Sequence, residues 1–142
     1  MITETATVRI ERPVEDVFDY FTDISNDREW NPFLKEARKT SEGPLGVGTT
    51  FHVVRKMSGP MDIEYTEYVR PTRWAIRGTA RPASMTFVAE FAPADNATEM
   101  SISMALQPKG VFVLLTPVMR SQLPKQIEQV HEALKRKLES GS

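Results

Sequence analysis

Five stretches of alternating apolar and polar residues follow one another through this chain, at about 49–57, 61–70, 73–80, 84–93 and 98–107, with only short turns between them. Alternation puts every second side chain on one face of a pleated strand, so such a run demands an antiparallel sheet with one apolar face. That face must be covered. The segment long enough to cover it comes next. After Pro108-Lys109-Gly110 the spacing turns helical, with Val111, Leu115, Val118 or Met119, Leu123, Ile127, Val130, Leu134 and Leu138 in one stripe. This spacing predicts a helix of about 28 residues, ~40 Å long. Pro117 and Pro124 interrupt it: either the helix starts at Pro117 with Thr116 as its cap, or it runs on from 111 and bends near Pro124, the arrangement favoured here.

The turns predict which side chains share the inner face. With Ser58-Gly59-Pro60 as the first hairpin turn, Phe51, Val53, Arg55 and Met57 face inward beside Ile63, Tyr65 and Glu67. With Pro71-Thr72 as the second, Val69 opposes Trp74 and Glu67 opposes Ile76. With Ala94 to Ala97 as the third, Phe91 opposes Met100, Ala89 opposes Ile102 and Phe87 opposes Met104.

The N-terminal part supplies the rest of the layer. Thr5 to Ile10 alternates like a strand, and Pro13 opens a short amphipathic helix whose Val14, Val17, Phe18 and Phe21 share a face. Asn26 or Asp27 is placed to cap a further helical turn before Pro32. A short strand is expected over Lys35 to Thr40, then a loop containing Gly43, Pro44, Gly46 and Gly48.

At 142 residues, the expectation is one domain over 1–139, with 140–142 a tail that is either disordered or an expression remnant. Eighteen basic residues against nineteen acidic ones leave a net charge of -1 with no basic cluster, which argues against nucleic acid as a partner. No apolar run reaches the ~20 residues of a membrane span, and the first residues lack the basic and apolar regions of a secretory signal, so a cytoplasmic address is expected. There is no cysteine. His52 and His131 fall on outward faces without two-histidine spacing, so no metal site and no cofactor are expected. Asp23, Asp27 and Glu29 read as capping and solvated residues, and Glu128, Glu132 and Arg136 as a solvated helix face.

Several segments carry a family resemblance. Arg12-Pro13-Val14-Glu15-Asp16-Val17-Phe18-Asp19-Tyr20-Phe21-Thr22-Asp23 resembles the opening helix of the Bet v 1-like, or START-like (SRPBCC), superfamily, in particular its polyketide cyclase/dehydrase branch. Asp27-Arg28-Glu29-Trp30-Asn31-Pro32-Phe33 is similar to that branch's Trp-Asn-Pro segment, and Gly46-Val47-Gly48-Thr49-Thr50-Phe51 to its Gly-x-Gly-Thr-x-Phe strand opening. Its central hairpin is similar to Glu64 through Trp74, and its helix end to Leu134 through Glu139. The resemblance implies an α+β helix-grip fold: a curved seven-stranded antiparallel sheet wrapped around a long C-terminal helix, with two short helices after the first strand. It also implies an internal ligand cavity.

Arg55 and Glu67 are the ionisable side chains expected on the apolar inner face, where an unpaired charge is costly. They would lie roughly 13 Å apart, bridged by ligand or water. If chemistry occurs, Arg55 would steady an enolate-like oxygen, and Glu67 or Tyr65 would move protons. Ligand contact is expected from Trp30, Phe33, Phe51, Val53, Met57, Tyr65, Trp74, Met85, Phe87, Ala89, Met104, Leu115, Met119 and Leu123. The first functional expectation is binding or carrying a small hydrophobic molecule, aromatic or polyketide-like among the candidates, by a monomer or weak homodimer. The alternatives are a polyketide cyclase/dehydratase-like enzyme and a protein-interaction module.

Overall fold

The computed structural model describes residues 2–56 and 59–140. Strand β1 (Ile2–Ile10) leads into helix α1 (Val14–Phe21), a 3₁₀ helix (Ile24–Glu29) and strand β2 (Leu34–Lys39). Strands β3 (Thr50–Arg55), β4 (Gly59–Val69), β5 (Arg73–Ala80), β6 (Ala83–Ala94) and β7 (Ala97–Pro108) follow. A second 3₁₀ helix (Gly110–Leu115) then leads into helix α2 (Thr116–Ser140). The strands form one seven-stranded antiparallel sheet in the order β1-β7-β6-β5-β4-β3-β2. α2 lies across its concave face: this is the helix-grip arrangement. No helix among the described residues is long and apolar enough to cross a membrane.

The third hairpin pairs as expected, with Phe91 opposite Met100, Ala89 opposite Ile102 and Phe87 opposite Met104. The first two do not. Phe51 opposes Ile63, where the expected turn had placed Glu67, because β4 begins at Gly59 and takes Pro60 into the ladder. Gly59 enters at φ +80, a left-handed conformation that only glycine adopts freely. In the second hairpin a bulge between Tyr65 and Glu67 inserts Thr66 without a partner, so Tyr65 opposes Ile76 and Glu67 opposes Ala75. One extra residue exchanges the two faces from that point on. Tyr68 therefore turns inward against Phe18, their rings 5.3 Å apart, and Glu67 turns outward.

Helix α2 begins at Thr116, whose hydroxyl donates to the Val113 carbonyl. The preceding apolar residues form the 3₁₀ turn, so of the two expected starts the later one holds. Pro124 lies inside α2, where its missing N–H leaves the Arg120 carbonyl without its usual donor. Ser140 is the last helical residue, and Gly141 and Ser142, most of the expected tail, lie outside the described residues.

Tyr65 joins the layers. It is fully buried, and its hydroxyl donates to the Thr22 carbonyl while accepting the Ile24 N–H at 3.4 Å. Tyr65→Phe would leave both backbone groups buried and unpaired, so an unfolding-energy loss of about 1–3 kcal/mol is expected in urea titration. A neutral result would mean that water replaces the hydroxyl.

Candidate functional site

Between the concave sheet face and α2 lies a cavity of ≈ 340 Å³, near the lower end of the roughly 300–1,000 Å³ usual for small-molecule sites. Its floor is built by alternate residues of five strands, which the two-residue period aims the same way: Val53 on β3, Met61 and Ile63 on β4, Trp74 and Ile76 on β5, Met85 and Phe87 on β6, Ile102 and Met104 on β7. Its roof is the apolar stripe of α2, from Met119 through Leu123 and Ile127 to Val130. One end is closed by Trp30 and Phe33, which follow the first 3₁₀ helix. The small side chains of Ala80 and Ala83 leave room along its wall. Gly78 lets Met61 lie close over the sheet, since a Cβ there would lie 2.6 Å from the Met61 sulfur.

The polar groups of this wall are few and mostly unanswered. Asp27 Oδ1, Trp30 Nε1, Trp74 Nε1 and His131 Nε2 are buried and find no hydrogen-bond partner among the described residues. Burial pushes the Asp27 carboxyl well above its ordinary range, and the negative charge of Asp23 adds to this; the Arg55 guanidinium and the Trp30 indole N–H pull the other way. Burial in turn lowers the Arg55 pKa, which the charge of Asp27 partly restores. Burial also lowers the His131 pKa, against a small opposing effect of Glu132. The cavity thus combines an apolar body with a carboxyl and a guanidinium that feel each other's charge, two indole N–H groups of which that of Trp30 is directed toward Asp27, and an imidazole in the roof.

Of the ligand contacts expected from sequence, Trp30, Phe33, Val53, Trp74, Met85, Phe87, Met104, Met119 and Leu123 line this cavity, as does Arg55. Phe51, Tyr65 and Ala89 are buried beside it but lie behind the lining: Phe51 stacks on Tyr65, and Ala89 sits under Trp74. Leu115 is 45% exposed on the second 3₁₀ helix, because three residues per turn break the stripe that α2 carries. Met57 lies outside the described residues. Glu67 is the principal correction. The bulge carries it to the outer face, where it accepts from Arg73 at 3.1 Å.

Among the lining residues that the sequence reading misses, two are titratable, Asp27 and His131. The sequence suggests Asp27 as a cap, but Asp23 caps the 3₁₀ helix by accepting the Ser25 N–H, which leaves Asp27 facing inward. His131 was placed on the outer face of the last helix. Its spacing was the available signal, since it stands four residues after Ile127 and three before Leu134. His52 does face outward, its Nδ1 2.8 Å from Asp62.

A second, shallower depression of ≈ 400 Å³ lies on the outside, bounded by Arg12, Asp16, Asp19 and Lys137. Three of its charges are already paired, Arg12 with Asp16 and Asp19 with Arg70. It offers little to a ligand.

The sequence matches the family described as polyketide cyclase / dehydrase and lipid transport over residues 1–139. The chain belongs to this family. Among curated proteins no sequence matches significantly. Solved structures similar in fold include a START superfamily protein from Mycobacterium smegmatis, with TM-score 0.82 at 12% identity over 99% of both chains. Ara h 8.0201 aligns with TM-score 0.75 at 14% identity over 98% of both chains. The di-domain ARO/CYC BexL from the BE-7585A biosynthetic pathway aligns with TM-score 0.72 at 17% identity, over 97% of this chain and 50% of that one. These identities speak for the helix-grip fold of the cyclase/dehydrase and lipid transport family; the chemistry must be argued from the cavity.

Proposed function

We propose that this member of the family binds and carries a small, largely apolar ligand in the cavity beneath α2, with a polar group of that ligand directed at Asp27, Arg55 and Trp30. The observation that carries this reading is the set of four buried, unpartnered polar atoms on the wall of one apolar cavity. Orphaned polar groups cost free energy wherever they are buried, and several converging on one void are best answered by a guest. The indole N–H groups ask for an acceptor such as a carbonyl or phenol oxygen, and the methionines allow an irregular outline.

A guest enclosed in such a cavity stays on the chain when the protein is sprayed from volatile buffer. Native mass spectrometry of freshly purified protein is therefore expected to show the chain with a small-molecule adduct, and Ala80→Phe, which fills part of the cavity, is expected to lose it. Glu67→Gln, on the outer face, serves as the control that retains it. An adduct that survives Ala80→Phe and disappears with Glu67→Gln would place the site elsewhere.

An acid–base reading rests on the same geometry. A carboxyl whose pKa burial raises, within reach of a guanidinium's charge, is suited to exchanging a proton with a ligand oxygen that Arg55 steadies. In that reading Asp27 takes the part that the sequence had assigned to Glu67.

A further inference from the structure

The cavity explains the apolar face of α2 but not the segment that leads into it. The second 3₁₀ helix reads Gly-Val-Phe-Val-Leu-Leu and buries none of its residues. A 3₁₀ run of this length has little stability of its own, so neither packing nor propensity accounts for the sequence. Val111 is 76% exposed and Leu114 82%, and Val113, Leu115 and Val118 are about half exposed along the same short stretch. Single exposed apolar residues need no explanation, but a contiguous patch marks a contact surface.

The charges around the patch are of one sign. Arg81, Arg120 and Lys125 are exposed and Lys109 is half-buried, and among the described residues none of the four makes an ion pair. The two stretches that meet here, 80–84 and 106–127, contain no Asp or Glu. They are tied together by the Lys109 N–H, which donates to the Pro82 carbonyl at 3.0 Å, and by the pairing of Ala83 with Pro108. In a chain of net charge -1 this is a local concentration of cations.

We propose that this corner docks on an anionic lipid bilayer, with Val111, Leu114 and Val118 entering the boundary between headgroups and acyl chains and the four cations resting among anionic headgroups. Charge complementarity selects this occupant. A second copy of the chain, packed about a two-fold axis, would set the same cations against themselves. The location gives the docking a purpose. Pro82, Leu106, Met119 and Gln122 line the cavity and are neighbours of the docking residues in sequence, so a guest passing between cavity and bilayer would cross little water.

Flotation of the full chain with phosphatidylcholine vesicles, with or without phosphatidylserine, tests the proposal. The wild type is expected to float with the phosphatidylserine vesicles, to be released as salt is raised, and to stay behind with phosphatidylcholine alone. Leu114→Asp is expected to weaken partitioning about tenfold. Arg120→Gln combined with Lys125→Gln should weaken it about 25-fold, at roughly fivefold per cation. The emission of Leu114→Trp should shift to the blue on adding the anionic vesicles. All of these side chains are exposed, so the thermal unfolding of each variant should match the wild type. No phosphatidylserine-dependent flotation, or flotation unchanged in both sets of variants, would overturn the proposal. So would a sedimenting dimer that Leu114→Asp dissociates in the absence of vesicle binding. Flotation does not require a guest in the cavity, so this result and the mass-spectrometric one stand or fall separately.

Discussion

Arg55→Met is expected to lower the unfolding free energy at neutral pH by about 2 kcal/mol, and Asp27→Asn added to it is expected to recover most of that loss. Removing one member of a buried ion pair costs roughly 3–5 kcal/mol because the other charge is left uncompensated; here the figure is smaller because Asp27 and Arg55 act on each other through their charges without forming an ion pair. The pH dependence follows from Asp27. Its folded pKa is raised above the ordinary 3.8, chiefly by burial, so between those two values the folded chain holds a proton that the unfolded chain has released. Stability therefore falls as pH rises through this window, and the penalty is absent below about pH 4. Arg55 holds the penalty down, so Arg55→Met should steepen the fall and carry it to higher pH, while Asp27→Asn should flatten it. Urea unfolding across this range measures both. If wild type and Asp27→Asn share one pH slope, Asp27 is not the buried acid described above. Ligand binding by Arg55→Met is expected to weaken by ~1–3 kcal/mol, the usual scale for a lost charged partner.

Leu134→Ala should cost about 3 kcal/mol and lower Tm by roughly 6–12 °C, since Leu134 is wholly buried and truncation leaves a hole in close packing. α2 buries only Leu123, Ile127, His131, Leu134 and Leu138, so one anchor is a large share of its seating. The polar ties of the helix are gathered at the same end. The Lys135 ammonium donates to the Arg9 carbonyl, Arg12 donates to the Leu138 carbonyl at 3.0 Å, and the Glu11 N–H donates to Glu139 at 2.8 Å. Loosening this end lifts the roof of the cavity, so loss of the ligand adduct should accompany the loss of stability. A loss under about 1 kcal/mol would mean that the helix is not seated on the sheet through this face.

The fold could be read from the sequence because it rests on period. Alternation from Thr49 to Gln107 and the helical stripe after it leave few ways to cover the sheet, and the turn at Ala94 to Ala97 fixed the β6–β7 register correctly. The strand side of the cavity lining, from Val53 to Met104, followed from the same alternation. What alternation does not carry is an insertion of one. Nothing in Glu64-Tyr65-Thr66-Glu67-Tyr68 marks Thr66 as the bulged residue, yet the bulge decides whether Glu67 or Tyr68 points inward. The polar end of the site was hidden for a related reason. Asp27 belongs to a 3₁₀ helix too short to show a period, and Asp23, Asn26 and Asp27 all suit its one capping position in sequence. Which of them caps is settled only by the path of the backbone.

The sheet order has a consequence for how the chain comes into being. Among the described residues β1 is hydrogen-bonded to β7 alone, with Ile2 opposite Leu106 and Ile10 opposite Thr98, so the earliest-made strand of this sheet pairs with its latest. At roughly 5–20 residues per second, Ile2 waits several seconds for its neighbour. Pairings so distant along the chain close slowly, since the entropy of the intervening loop is lost before the contact returns anything. During that interval the apolar face of α1, whose Phe18 ends against Phe91, has no finished sheet to lie on. The nascent chain therefore carries an unpaired strand edge and an uncovered helix together, and this is the stage at which a chaperone, or a second nascent chain, would find the most to hold.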